Sequence, residues 1–372
     1  MMKSFKIMLK EKYAVIGAGC GGQAVAGYLA SIGFDVTLYN RSSDRIKPFQ
    51  ARGYIDLEET VNGRGKLSYI GTDISKALAD RDIIMIVITA DGHKEIAKKI
   101  APYLRDGQII ILNPGRTCGA LEVEHTLRQS GCNADAIVAE ANTLMYLARV
   151  TTPGVVTING IKKEVSISAL RAKDTEHVID KIHSTFPQFV AATSFLETSF
   201  GNIGAIFHPT ITLLNKDRIL SKESFDFYTE GVTRKVADFM EQVDNETQNV
   251  ARALGIRALS VTGWLNSRYH LQLSDIYTMI RSNPTYQGIK APTTLNSRYL
   301  WEDIPTGLVP ISSFGNALGV ATKAIDYLID EGCETLERNF WEEGRTLEKL
   351  GLSEENLLSD LKGIIGQRKM GT

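Results

Sequence analysis

Cysteine is scarce in this sequence, and none of it is paired. Cys20, Cys118, Cys132 and Cys333 stand far apart and form no C-x-x-C, so neither a zinc site nor a disulfide framework is expected. Reduced cytoplasm is the expected setting. Long apolar runs are missing too: the longest is about the length of Ile83–Ile88, far short of the ~20 residues a membrane helix needs. No membrane partner is therefore expected. The start, MMKSFKIMLKEKY, interleaves four lysines with apolar residues and has no apolar core followed by a small-residue cleavage site. An excess of one charge sign is also absent. A formal net charge of -1 offers no basic footprint for a phosphate backbone, which removes nucleic acid from the expected partners. His93, His125, His177, His183 and His270 lie at no metal-ligand spacing apart from the His177/His183 pair on a charged segment, which reads as fortuitous, and no metal is expected. There is no internal repeat, low-complexity tract or Pro-rich linker.

What is present is a globular chain of 372 residues, 43% hydrophobic, long enough for two domains. Up to about residue 195, short β-branched runs alternate with helical patterns, as in a parallel sheet covered by crossover helices. Strands are expected at Tyr13–Gly17, Asp35–Asn40, Lys66–Ile70, Ile83–Thr89, Gln108–Leu112 and Ala136–Glu140. IIMIVI and QIIIL are apolar without alternation, as strands buried on both faces are. From about Ser199 helical spacing takes over. In 229–254, Val232, Val236, Phe239, Met240, Val243, Val250 and Leu254 fall on one stripe, with Gly255 as a stop. Helices are also expected near 203–216, 313–331, 335–349 and 353–365. The fold class is thus an α/β doubly wound Rossmann domain, 1–198, followed by an all-α domain, 199–372.

The segment AVIGAGCGGQAVAGYLASIGFDVTLYNR places Gly17, Gly19 and Gly22 in G-x-G-x-x-G spacing between a strand and a helix, with a second strand following within about thirty residues. Gly17 permits the tight turn, Gly19 lets the backbone approach a pyrophosphate, and Gly22 lets helix and strand pack closely. Ala18, Cys20 and Gly21 complete the loop, and the helix N-terminus behind it favours anions. A nicotinamide dinucleotide is the expected cofactor. NAD sites place Asp or Glu at the end of the second strand, whereas this chain has Asn40 and Arg41. Arg41, backed by Ser42 and Arg45, suits a 2′-phosphate, which favours NADP over NAD. As a plain alternative, Arg41 is a solvated surface cation. Asn113, Pro114 and Gly115 follow a predicted strand at the sheet edge where the nicotinamide approaches.

Two clusters in the helical half set polar residues among apolar ones. In Phe207-His208-Pro209-Thr-Ile-Thr-Leu-Leu-Asn215, a helix puts His208 and Asn215 on one face, with Pro209 kinking or beginning it. An imidazole, with an unperturbed pKa of ~6.5, is a natural general acid/base. A hydrogen-bonded core histidine reads equally well from this cluster alone. In Asn296-Ser-Arg298-Tyr-Leu-Trp-Glu302-Asp303-Ile-Pro305-Thr-Gly307, Asp303 could be a helix N-cap and Arg298 its salt-bridge partner, or both could serve chemistry.

With VIGAGCGGQAVAGYLA, LNPGRTCGALE, AEANTLMYLAR, FHPTITLLN, FYTEGVTRKVADFMEQVDNE and SRYLWEDIPTGLVP in order along it, the chain resembles the opine dehydrogenase family of the octopine/nopaline type over essentially its whole length. The resemblance implies an enzyme that condenses a 2-oxo acid such as pyruvate with the amino group of an amino acid and reduces the imine with NAD(P)H. It implies His208 as catalytic histidine, Asp303 as its partner and Arg298 near the substrate carboxylates. Arg149, Tyr146 and Asn215 are further substrate-side candidates, and Arg116 or Arg149 are reserve cations. Met145 stands where many relatives carry proline, which bears on the amino-acid pocket. A homodimer is left open. The alternatives are a ketopantoate-reductase-like enzyme, for which no lysine sits in an equivalent motif, and a non-catalytic NADP-binding regulator.

Overall fold

The computed structural model describes residues 11–269, 273 and 275–366. The first ten residues and His270 lie outside the described residues. The backbone divides into two compact units. One comprises the described residues up to Gly115 together with Val123–Phe195 and Gly366; the other comprises Arg116–Glu122 and the described residues of Leu196–Ile365. Two contiguous blocks were expected; Arg116–Glu122 instead belongs with the helical unit.

Among the described residues the first unit has twelve strands: β1 (Tyr13–Ile16), β2 (Val36–Tyr39), β3 (Tyr54–Glu59), β4 (Gly63–Lys66), β5 (Tyr69–Gly71), β6 (Ile83–Ile86), β7 (Ile109–Leu112), β8 (Ile137–Ala141), β9 (Tyr146–Thr152), β10 (Val155–Ile161), β11 (Val165–Ala169) and β12 (Phe189–Ala191). Eight of them form one sheet in the order β12-β11-β8-β7-β6-β1-β2-β5. It is parallel from β5 to β8, and β11 then runs antiparallel to β8. Every residue of β1, β2, β6 and β7 is buried, as expected for strands covered on both faces. Strand order reverses beside β1, and ligands of such sheets bind at the carboxyl ends of the strands there.

The other four strands form a second sheet, β4-β3-β10-β9, absent from the sequence reading. Helix α1 (Cys20–Ser31) packs against both sheets. Its small residues make that fit: a Cβ on Gly27 would lie 2.9 Å from Ile55 Cγ2, and one on Gly65 would lie 2.3 Å from the Gly27 oxygen. The strand expected at Lys66–Ile70 is split, Lys66 ending β4 and Tyr69 opening β5.

The second unit is helical, with α2 (Ile203–Leu214), α3 (Arg234–Ala253), α4 (Val261–Tyr269), α5 (Arg298–Trp301), α6 (Val309–Ala317), α7 (Lys323–Leu336) and α8 (Leu357–Ile365) among its elements. Thr233 caps α3 by accepting from the Val236 N–H at 3.3 Å, and Gly255 follows its end at φ +74°. Val236, Met240, Val243 and Val250 form its buried stripe, which packs on α2, α6 and α7. The single helix expected at 313–331 is broken into α6 and α7, where Gly319 takes φ +66°. No continuous helix covers 335–349: Glu337 ends α7 at φ +52°, leaving only the short turns Phe340–Glu343 and Glu348–Leu350. Of the two expectations for Pro209, that it begins the helix is not met, since it sits inside α2. Among the described residues no helix is long and apolar enough to cross a membrane.

Candidate active site and cofactor site

The loop between β1 and α1 shows why glycine is needed there. Gly17 has φ +108°, and a Cβ on it would lie 2.3 Å from the Val87 oxygen; one on Gly22 would lie 1.7 Å from the Gly17 oxygen. Above Gly19 the nearest atom is Arg45 Nη1 at 3.7 Å, so the backbone is bare to an approaching group. Helix α1 starts at Cys20 with no side-chain cap and no acidic residue in its first turn. Its first N–H groups and the positive end of its dipole are left for an anion. Asn40, at the end of β2, accepts from the Ala18 N–H at 3.0 Å and donates to the Ser42 oxygen at 2.9 Å. It thus latches the glycine loop where a carboxylate would otherwise stand, and Arg41 beside it is exposed. After β7, Asn113 is buried; its amide donates to the Ile111 oxygen at 3.0 Å while its Oδ1 has no hydrogen-bond partner. An open cradle, an uncapped helix start and an orphaned buried acceptor fit a dinucleotide held by Gly17–Gly22 and Asn113–Gly115.

In the helical unit α2 carries His208. Its Nδ1 lies 2.7 Å from Oδ2 of Asp303, which is fully buried, and its Nε2 lies 3.3 Å from the Tyr228 hydroxyl. The Tyr299 ring stacks on the imidazole at 4.3 Å, and Phe227 stacks on the far face of Tyr299 at 4.8 Å. Asp303 ends the turn after α5 and opens a π-helical turn, Ile304–Leu308, beginning Ile304-Pro305. That turn lies tight on α2 because Gly307 has no side chain: a Cβ there would be 2.6 Å from Ala205 Cβ.

Charge around the pair is balanced. Arg116 Nη1 lies 3.5 Å from Asp303 Oδ1, an ion pair without hydrogen-bond alignment, and its Nε lies 3.4 Å from Glu302 Oε1. Arg298 Nη1 reaches Glu302 Oε2 at 3.3 Å. Burial alone pushes the Asp303 carboxyl up, but Arg116, His208 and Arg298 together outweigh it and hold it below the ordinary carboxylate range. Asp303 is therefore a carboxylate that accepts from His208 Nδ1–H, which leaves Nε2 as the nitrogen that faces Tyr228. Burial pushes the Tyr228 phenol up, so it stays protonated and can donate to Nε2.

Within the helical unit the structure brings His208, Asp303 and Arg298 together. Tyr146 is buried in the apolar core of the first unit, edge-on to Tyr28 at 5.8 Å. Met145 is buried in the same core. Arg149 is exposed on β9. Asn215 is spent on holding the fold: it donates to the Ile211 and Gly231 oxygens at 2.8 and 3.0 Å and accepts from Arg218. Sequence reasoning missed Tyr228, Tyr299 and Glu302 as neighbours of the dyad. FYTEGVT and the Glu302-Asp303 pair were the signals available.

A dinucleotide cradle on a doubly wound sheet, with a buried His–Asp pair in a helical unit, defines an NAD(P)-dependent oxidoreductase. Residues 191–336 match the family model "NAD/NADP octopine/nopaline dehydrogenase, alpha-helical domain", and residues 12–133 match "NAD binding domain of 6-phosphogluconate dehydrogenase". The chain is 40% identical to an opine dehydrogenase of Arthrobacter sp. (strain 1C), over 93% of this chain and 97% of that one. An octopine dehydrogenase structure with NADH and L-arginine has a TM-score of 0.81 at 22% identity, covering 98% of this chain and 100% of that one. An NADP+-bound yersinopine dehydrogenase has a TM-score of 0.75 at 14% identity, covering 95% and 98%. The chain belongs to the opine dehydrogenase family.

Proposed function

We propose that this enzyme condenses a 2-oxo acid, such as pyruvate, with the amino group of an amino acid and reduces the resulting imine to a secondary amine dicarboxylate. The observation that carries the reading is the 2.7 Å bond from His208 Nδ1 to a buried, ionised Asp303. An amine must lose a proton as it adds to the ketone, and the carbinolamine must gain one as water leaves. His208 Nε2 can take the first proton and return the second, while Asp303 fixes the ring and stabilises its charged form. Arg298, half exposed with Glu302 on one side, is suited to pair with a substrate carboxylate. When bound, the reduced nicotinamide supplies the hydride. Gly17–Gly22 and Asn113–Gly115 would hold the dinucleotide. Asn40 and Arg41, with no carboxylate to repel a 2′-phosphate, favour NADP over NAD.

The test is nicotinamide absorbance with NADPH and a panel of 2-oxo acids and amino acids. Oxidation that needs both partners supports the proposal. Equal oxidation by the oxo acid alone makes the enzyme a simple keto-acid reductase. Tight cofactor binding without turnover across the panel favours a regulator.

A further inference from the structure

Resting on the reading of His208 as the proton carrier, we propose that Arg116 is a positioning residue that sets the charge on the His208–Asp303 pair, and is not a ligand of a substrate carboxylate. Two carboxylate-bearing residues and an amide already occupy its guanidinium: Asp303 at 3.5 Å, Glu302 at 3.4 Å and the Asn202 Oδ1 at 3.2 Å. Its side chain is 13% exposed against 51% for Arg298, so of the two arginines only Arg298 is free to meet a dissolved anion. Its backbone is fixed as well. Arg116 sits at φ +60°. The next residue, Thr117, donates its N–H to the Thr306 oxygen at 3.1 Å and accepts at its own oxygen from Arg345 Nη1 at 2.7 Å. Gly204 leaves the space: a Cβ there would stand 2.8 Å from Arg116 Nη1 and 3.3 Å from Asp303 Oδ1.

The chemical consequence follows from the charges that face His208. Asp303 touches the ring directly, Arg116 lies against Asp303 and Glu302, and Arg298 lies against Glu302, with the Tyr228 hydroxyl on the ring's edge and Tyr299 on its face. With the imidazole neutral, two carboxylates and two guanidinium groups cancel. Without Arg116 the surroundings carry net negative charge, which favours the imidazolium. A ring held permanently as imidazolium can give a proton but cannot take one from the attacking amine. Arg116 keeps the exchange two-way.

Arg116→Gln and Arg116→Lys test this. The His208 ring titration is followed by the NMR signal of its carbon-bound protons without substrates, and kcat and KM are measured for both substrates across pH. For Arg116→Gln the ring titration is expected to move up by about one pH unit. Its kcat is expected to fall about tenfold or more at neutral pH, with the KM of the oxo acid within about threefold of wild type. Arg116→Lys is expected to restore most of the titration. A rise of tens of fold in that KM with an unmoved titration would make Arg116 a substrate ligand, and no change in either would make it a bystander; both overturn the proposal. Should Arg116→Gln not fold, Gly204→Ala decides, because a Cβ there would stand 2.8 Å from Arg116 Nη1 and push the guanidinium off Asp303; the ring titration should move up, and an unmoved titration again overturns the proposal. The ring titration needs no turnover, so absence of condensation in the wild type would fail the proposed reaction alone.

Discussion

At the residue scale, Asp303 is fully buried and held ionised chiefly against the cost of its own burial, by Arg116 and then His208. Removing its charge strands a buried guanidinium and costs about 3 kcal/mol of stability at neutral pH. Because the folded-state value is depressed, that contribution is complete above the ordinary carboxylate value of about 3.9 and is lost as pH falls through the lower folded value. Melting curves of wild type and Asp303→Asn should therefore be well separated at pH 7 and converge only below about pH 4; a constant offset across that range would refute the ionised assignment. His208→Ala and Asp303→Ala should each lower kcat by about a hundredfold or more, while cofactor affinity, read by fluorescence titration, stays near wild type. Tyr228→Phe removes one hydrogen bond to the working nitrogen and should cost about three- to tenfold in kcat with little change in melting temperature.

At the element scale, α2 and the π-helical turn Ile304–Leu308 must approach closely for His208 to meet Asp303, and Gly307 permits it. Gly307→Ala should destabilise by about 1–3 kcal/mol and lower kcat further than it lowers stability. Normal turnover in a folded variant would show that the dyad tolerates the displacement. The elements legible from sequence were those with one strong local signal. β1, α1 and β2 announced themselves through a glycine spacing that only a tight turn and close packing require. The small sheet did not, because β3 offers only two buried apolar side chains, Ile55 and Leu57, and β4, Gly-Arg-Gly-Lys, carries no apolar side chain at all. Its order comes from packing on α1. Helix ends set by non-glycine residues in left-handed conformations, such as Glu337, leave no readable stop.

At the scale of the whole molecule, His208 and Asp303 stood out as polar residues among apolar neighbours, but their pairing was an implication of the family resemblance and their setting was not legible. Arg116, almost two hundred residues from Asp303 in sequence, joins it only through the fold, and the burial of Tyr146 in the first unit's core was equally unreadable from its neighbours in sequence. Cofactor choice belongs to this scale too. Arg41→Ala should raise the KM for NADPH about tenfold and leave that for NADH nearly unchanged, and an equal effect on both would remove Arg41 from phosphate recognition. The most direct test of the reaction is the product itself. Incubation with a 2-oxo acid, a 15N-labelled amino acid and NADPH should yield, by mass spectrometry, a single secondary amine dicarboxylate that retains the labelled nitrogen and both carbon skeletons. A 2-hydroxy acid with the amino acid left intact would contradict it.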